Sequence, residues 1–108
     1  MKRTHHCNEL RPAHLGQTVT LCGWVHSRRD LGGVIFIDVR DREGRTQTVF
    51  DPSDLPPDLF KQASALRNES VIRVTGRVRE RPEGTRNTKI LTGEVEVMAR
   101  ELEVLNLA

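Results

Sequence analysis

A hairpin written into residues 19–40 limits what this chain can become. Val19, Leu21, Gly23 and Val25 alternate with polar or variable neighbours, the two-residue period of a strand with one buried face. Gly23 in the middle of that run predicts a bulge or sharp bend, where a side chain would obstruct curvature. Leu31-Gly32-Gly33 predicts a tight turn, and a second strand follows it. There Ile35, Ile37 and Val39 share one face, while Val34, Phe36, Asp38 and Arg40 share the other. The first is a core face. The second sets a large aromatic among charges, so it faces water. Arg28 and Arg29 stand on the neighbouring strand. A wet aromatic beside guanidinium groups is what a single-stranded nucleic acid needs, with bases stacking on the ring and phosphates held by arginine. A loop packed over Phe36 would give the same pattern.

The rest of the chain completes a small β domain. Residues 1–16 are an expected lead-in, with a helical turn over 12–15 ended by Gly16. Asp41-Arg-Glu-Gly44 signals a turn into a third strand over 45–51. On that strand Thr46, Thr48 and Phe50 are predicted inward, and Gln47 outward beside Phe36. Pro52 stops the meander, and Pro56-Pro57 opens a helix whose Leu59, Phe60, Ala63 and Leu66 recur at helical spacing. From Ser70 a fourth strand alternates, with Ile72, Val74, Gly76 and Val78 inward and Arg73, Thr75, Arg77 and Arg79 outward. A polar loop over 81–89 carries three basic residues before a fifth strand, with Val95 and Val97 inward and Glu94 and Glu96 outward. The tail over 102–107 either pairs again or opens a linker. The order β-β-β-α-β-β predicts an all-β domain with one helix, a five-stranded Greek-key OB-fold barrel. A small β-sandwich is disfavoured by the single helix between the third and fourth strands.

With 108 residues the chain holds one modest core, and a hydrophobic content of 36% suits a globular domain. No apolar run is long enough for a membrane span, and the opening residues lack a signal peptide's apolar segment, so a cytoplasmic setting is expected. Cys7 and Cys22 have no CxxC spacing and are expected to be reduced there. His5, His6 and Cys7 are adjacent and cannot close a tetrahedral metal site without a distant partner, and none is evident. A net charge of +2 does not by itself argue for nucleic acid. However, 14 of the 17 basic residues are arginine, which recognises phosphates and base edges in a planar, bidentate way that lysine cannot.

The run from Gly23 to Gly44, GWVHSRRDLGGVIFIDVRDREG, together with Gln47 and TGEVE at 92–96, closely resembles the N-terminal anticodon-binding domain of bacterial-type aspartyl-tRNA synthetases. The resemblance covers essentially the whole chain. It implies that the domain docks the anticodon loop of the aspartate tRNA. Phe36 would stack on the central uracil and Gln47 would hydrogen-bond it. Arg29 would contact neighbouring bases or backbone, and Glu94 would lie near the first anticodon base. Arg28, Arg77 and Arg79 are further RNA-binding candidates. Alternation and the family pattern favour Arg29 over Arg28, and Glu94 has a rival reading as a cross-strand ion pair with Arg77 or Arg79. Trp24 is expected to pack against the barrel bend rather than against RNA.

The family attaches aspartate to tRNA in a separate downstream domain that uses ATP and Mg2+. No motif for ATP or carboxylate cluster for magnesium stands in this sequence, so no catalytic residue, cofactor or metal is assigned to it. Residues 103–108 are expected to begin the hinge to that absent domain. The isolated piece is expected to be a monomer, and the full-length family enzyme a homodimer. Whether the asparagine tRNA, whose anticodon differs at one base, is also read stays open, with Leu31 and the 81–89 loop the expected determinants. Two rival functions remain: a general single-strand-binding OB module and a protein-interaction OB domain. The first would show several exposed aromatics, whereas only Phe36 qualifies.

Overall fold

The computed structural model describes residues 3–107. Five strands close on themselves: β1 (Thr18–Leu31), β2 (Val34–Asp41), β3 (Gly44–Phe50), β4 (Val71–Glu80) and β5 (Val95–Asn106). Their order around the barrel is β1-β2-β3-β5-β4, and every pairing is antiparallel except β3 with β5. This is the expected OB-fold. Closure removes the free sheet edges that would otherwise template aggregation. The helix α1 (Pro57–Ser64) sits between β3 and β4, and a 3-10 turn spans Pro12–His14.

Alternation fills the barrel as the sequence implies. Val19, Leu21, Val25, Ile35, Ile37, Val39, Phe50, Ile72, Val74, Val78, Val95 and Val97 are all buried in one cluster. Ala63 of α1 and Leu66 just beyond its end join this cluster, with Leu59 and Phe60 partly buried against it. Thr46 and Thr48 also point inward, and each satisfies its hydroxyl on a backbone carbonyl: Cys7 at 2.6 Å and Ile37 at 2.7 Å. Buried hydroxyls without such partners would be costly.

The hairpin turn is tighter than expected. Leu31 pairs with Val34, leaving only Gly32 and Gly33 at the tip, with φ of 63° and 86°. Both angles lie in the left-handed region that a two-residue turn of matching twist demands. Gly23 marks a close approach of two strands: a β-carbon there would collide with the Arg40 carbonyl oxygen. The bulge itself lies three residues on, where the register shifts between Val25 and Ser27 and leaves His26 extra.

The described part of the lead-in, residues 3–16, is more than a lead-in. Cys7 and Leu10 are fully buried members of the core. The segment is tied down where the Cys7 backbone N–H donates to Asp41 Oδ2 at 2.8 Å. Asp41 Oδ1 accepts from the backbone N–H groups of Glu43 at 2.8 Å and Gly44 at 3.1 Å. Burial pushes the Asp41 carboxyl up, but those backbone donors outweigh it and hold its pKa below the ordinary value. Burial also pushes the Cys7 thiol well above the usual range, reinforced by Asp41. The three residues considered together as metal ligands diverge: His5 packs edge-on against His14, His6 faces Glu9, and Cys7 turns into the core. The tail pairs rather than leaving the barrel, with Val104 opposite Ile72 and Asn106 opposite Val71.

A test follows from Asp41. A group whose pKa is lowered by folding stabilises the fold above its unfolded pKa and loses that contribution as pH falls through the folded one. Asp41→Ala is therefore expected to cost about 1–3 kcal/mol at neutral pH. The gap should narrow as pH falls through 3.8, the ordinary value, and close below the depressed native one. Denaturant melts of both proteins across that range measure it; a gap independent of pH would show that the carboxylate charge is not what holds the segment.

Candidate nucleic-acid interface

Directly opposed residues of an antiparallel pair share a face. Arg29 lies opposite Phe36, Ser27 opposite Asp38, and Asp38 opposite Gln47, so these side chains form one outer row across β1, β2 and β3. The closed barrel continues that row onto β5 and β4, where Glu96 pairs with Arg79. Arg28 pairs instead with Ile37, whose side chain enters the core, so it does not share the aromatic face. Arg29 is the face residue, as expected, but the alternation offered in its favour is not the reason. Counted from Val25 without a break, Arg29 would fall inward; the extra residue His26 resets the count.

Four side chains in the row form one chain of hydrogen bonds. Arg29 Nη2 donates to Gln47 Oε1 at 2.8 Å, and Gln47 Nε2 donates to Glu96 Oε1 at 2.8 Å. Arg79 Nε donates to Glu96 Oε2 at 2.7 Å. The chain fixes which way the amide points, because a guanidinium only donates and a carboxylate only accepts. Gln47 was expected to be exposed, yet only 6% of its surface is accessible. One N–H and one lone pair of its amide remain uncommitted, a donor and an acceptor side by side. The Arg29 guanidinium carbon lies 5.7 Å from the centroid of the half-buried Phe36 ring, within cation–π range. The result is an aromatic platform beside a preoriented amide, with cations at both ends.

Glu94 and Arg77 lie outside this hydrogen-bonded chain. Glu94 is exposed and precedes β5, and its backbone carbonyl accepts the Arg81 N–H at 3.0 Å. The acidic member of the cluster is Glu96, 1% exposed, and the cross-strand ion pair belongs to it rather than to Glu94. Arg77 shares the outer face with Arg79 but lies opposite Thr18 and Met98, at the edge of the cluster. Arg81, read as one of the loop's basic residues, is 7% exposed and clamps the loop through the carbonyls of Val95 and Thr85. Its desolvation lowers its pKa; Asp38 and Glu96 oppose that, while Arg29 and Arg45 add to it. Trp24 is half-buried in a recess of about 730 Å3 with Arg3, His6, Asp41, Arg42 and Glu43, opposite Arg40 and so at the other end of β2 from Phe36. Neither the buried role of Glu96 nor the bulge at His26 has a signature in the sequence pattern.

The family model for the OB-fold nucleic acid binding domain matches residues 19–105. The chain belongs to this family. The OB-fold domain is 60% identical over 104 residues to the "Aspartate--tRNA(Asp/Asn) ligase" of Methylacidiphilum infernorum, covering 96% of this chain and 17% of that protein. It thus spans under a fifth of the relative's length. Among solved structures, asparaginyl-tRNA synthetase from Pyrococcus horikoshii superposes with a TM-score of 0.84 at 30% identity, over 100% of this chain and 23% of that one. OBody AM2EP06 bound to hen egg-white lysozyme superposes with a TM-score of 0.84 at 30% identity, over 100% of this chain and 97% of that one. The likeness to aspartyl-tRNA synthetases first seen in the RRDLGG and RDREG segments therefore extends to the fold and to the whole domain.

Proposed function

We propose that this domain recognises the anticodon loop of an aspartate-type tRNA and serves as the binding module of an ATP-dependent aspartate–tRNA ligase, whose chemistry lies in another domain. The observation that carries this reading is the Arg29–Gln47–Glu96–Arg79 chain beside Phe36. Stacking on one ring secures one base, and an oriented donor–acceptor pair suits the edge of a uracil. Glu96 acts as a positioning residue, holding the Gln47 amide and the Arg79 guanidinium in place. Arg29 and Arg79 supply the charge that draws the strand in. The 60% identity to a ligase named for both tRNAs supports a second element: this domain accepts the asparagine anticodon as well. Leu31, 56% exposed at the hairpin tip, offers no hydrogen-bonding group to tell cytosine from uracil. In the whole protein the domain works in the cytoplasm within a homodimer.

A protein-interaction role is the competing reading, and a same-sized relative of this fold bound to lysozyme favours it. Titration of an aspartate-type anticodon stem-loop at several salt concentrations separates the two. RNA binding should weaken steeply, with log K falling about 0.7 per phosphate neutralised for each decade of salt. A flat response, or no binding at low salt, would support the protein partner instead.

Gln47→Ala should remove about 1–2 kcal/mol of the preference for uracil at the central position. Because the amide also holds Arg29 and Glu96, a smaller loss is expected on every loop. An equal loss on all loops would make Gln47 a scaffold residue only.

A further inference from the structure

Arg45 adjoins this face and is absorbed by none of the roles above. It precedes Gln47 by two residues along the outer side of β3 and lies opposite Arg40 on β2. Arg73, Arg79, Arg86 and Arg100 each meet a carboxylate: Glu103, Glu96, Glu80 and Asp54. Among the described residues no carboxylate reaches Arg45. Its Nη1 instead contacts His26 Nε2 at 3.0 Å, and its Nε is buried with no hydrogen-bond partner. A guanidinium only donates, so the imidazole nitrogen accepts.

Two features of the fold produce this. The β1 bulge brings His26 to Arg45, the re-aiming of a side chain that bulges provide beside functional sites. The Thr92 hydroxyl donates to the Arg45 backbone carbonyl and ties that part of β3 to the loop before β5. Arg40, Arg45 and Lys89 line a recess of about 280 Å3 with Asn8, Gly44 and the 90–91 loop. Three cations therefore line one small concavity that contains no acid. A buried N–H without an acceptor is costly and calls for a partner.

We propose that the Arg40–Arg45–Lys89 recess is a phosphate subsite that holds one phosphodiester group of the RNA strand whose base lies on Phe36 and Gln47. The inference rests on the RNA-binding reading and adds to it a backbone contact outside the base-reading row. Phosphate oxygens would take the Arg45 terminal N–H groups that His26 leaves uncommitted, and its planar fork suits them better than a lysine would. Such a contact fixes the register of the strand and carries no sequence information.

The test compares Arg45→Ala and Lys89→Ala with the parent domain, and with Arg67→Ala as a charge-matched control on an exposed residue beyond α1. Each is titrated with the anticodon stem-loop from low to moderate salt, alongside a thermal melt. For Arg45→Ala the affinity should fall on the order of tenfold at low salt, equally for every central base. The slope of log K against log salt should become shallower by about 0.7, and Lys89→Ala should do the same more weakly. Arg67→Ala should change neither. A walk of single neutral methylphosphonates through the loop locates the contact. At one position the parent should lose as much as Arg45→Ala does, and the variant should lose no more. An unchanged slope, a loss confined to one central base, or an equal further loss by the variant at every methylphosphonate position would overturn the subsite. Those failures leave RNA binding by the parent intact. Absence of binding by the parent would bring down the RNA reading and the subsite with it.

Discussion

Phe50→Ala is expected to cost about 3–5 kcal/mol of folding stability, a large part of what a domain of this size possesses. Phe50 ends β3, is fully buried, and faces Ile35 across the pair. It is the largest of the fully buried side chains. Its removal leaves a cavity that a closed barrel cannot easily collapse, because each strand is fixed by neighbours on both sides. Denaturant melts should show the loss, and RNA affinity of the remaining folded fraction should be normal. A loss below about 1 kcal/mol would mean that the strand's register is misplaced.

Phe36→Ala should fail in the opposite way. Phe36 is half-buried on the outer row with Asp38 and Arg40, and its ring stands within cation–π range of the Arg29 guanidinium. Truncation should barely change the melt but should remove about 1–3 kcal/mol of RNA affinity, the range for stacking one base. The two phenylalanines differ in kind because strand alternation puts them on opposite faces of one sheet. A Phe36→Ala protein that unfolds while its folded fraction binds normally would reverse the assignment and dissolve the site.

Much of the barrel was legible because burial on one face leaves a period-two trace. Ile35, Ile37 and Val39 on β2, and Ile72, Val74 and Val78 on β4, report their own orientation. The Gly32-Gly33 tip was legible because few other residues adopt its backbone angles. The bulge was not, since an extra residue such as His26 looks like any polar strand position until its partner strand is known. It decides which of Arg28 and Arg29 joins Phe36. Glu94 and Glu96 were indistinguishable for a related reason: they are two apart, and only the start of β5 at Val95 shows which one lies within the sheet. The buried state of Gln47 depends on Arg29 and Glu96 from two other strands, and local pattern carries no record of that. Cys7 and Leu10 entered the core from a segment without alternation, held by Asp41 far along the chain.

Everything assigned to the face comes down to whether it reads the middle base of the loop. The most direct measurement is a competition titration of the unaltered domain between an anticodon stem-loop with uracil at that position and stem-loops changed there to cytosine, adenine or guanine. A preference for uracil worth about 1–3 kcal/mol is expected, roughly five- to 150-fold. Equal affinity for all four loops, at a salt concentration where binding is measurable, would contradict base recognition by Phe36 and Gln47.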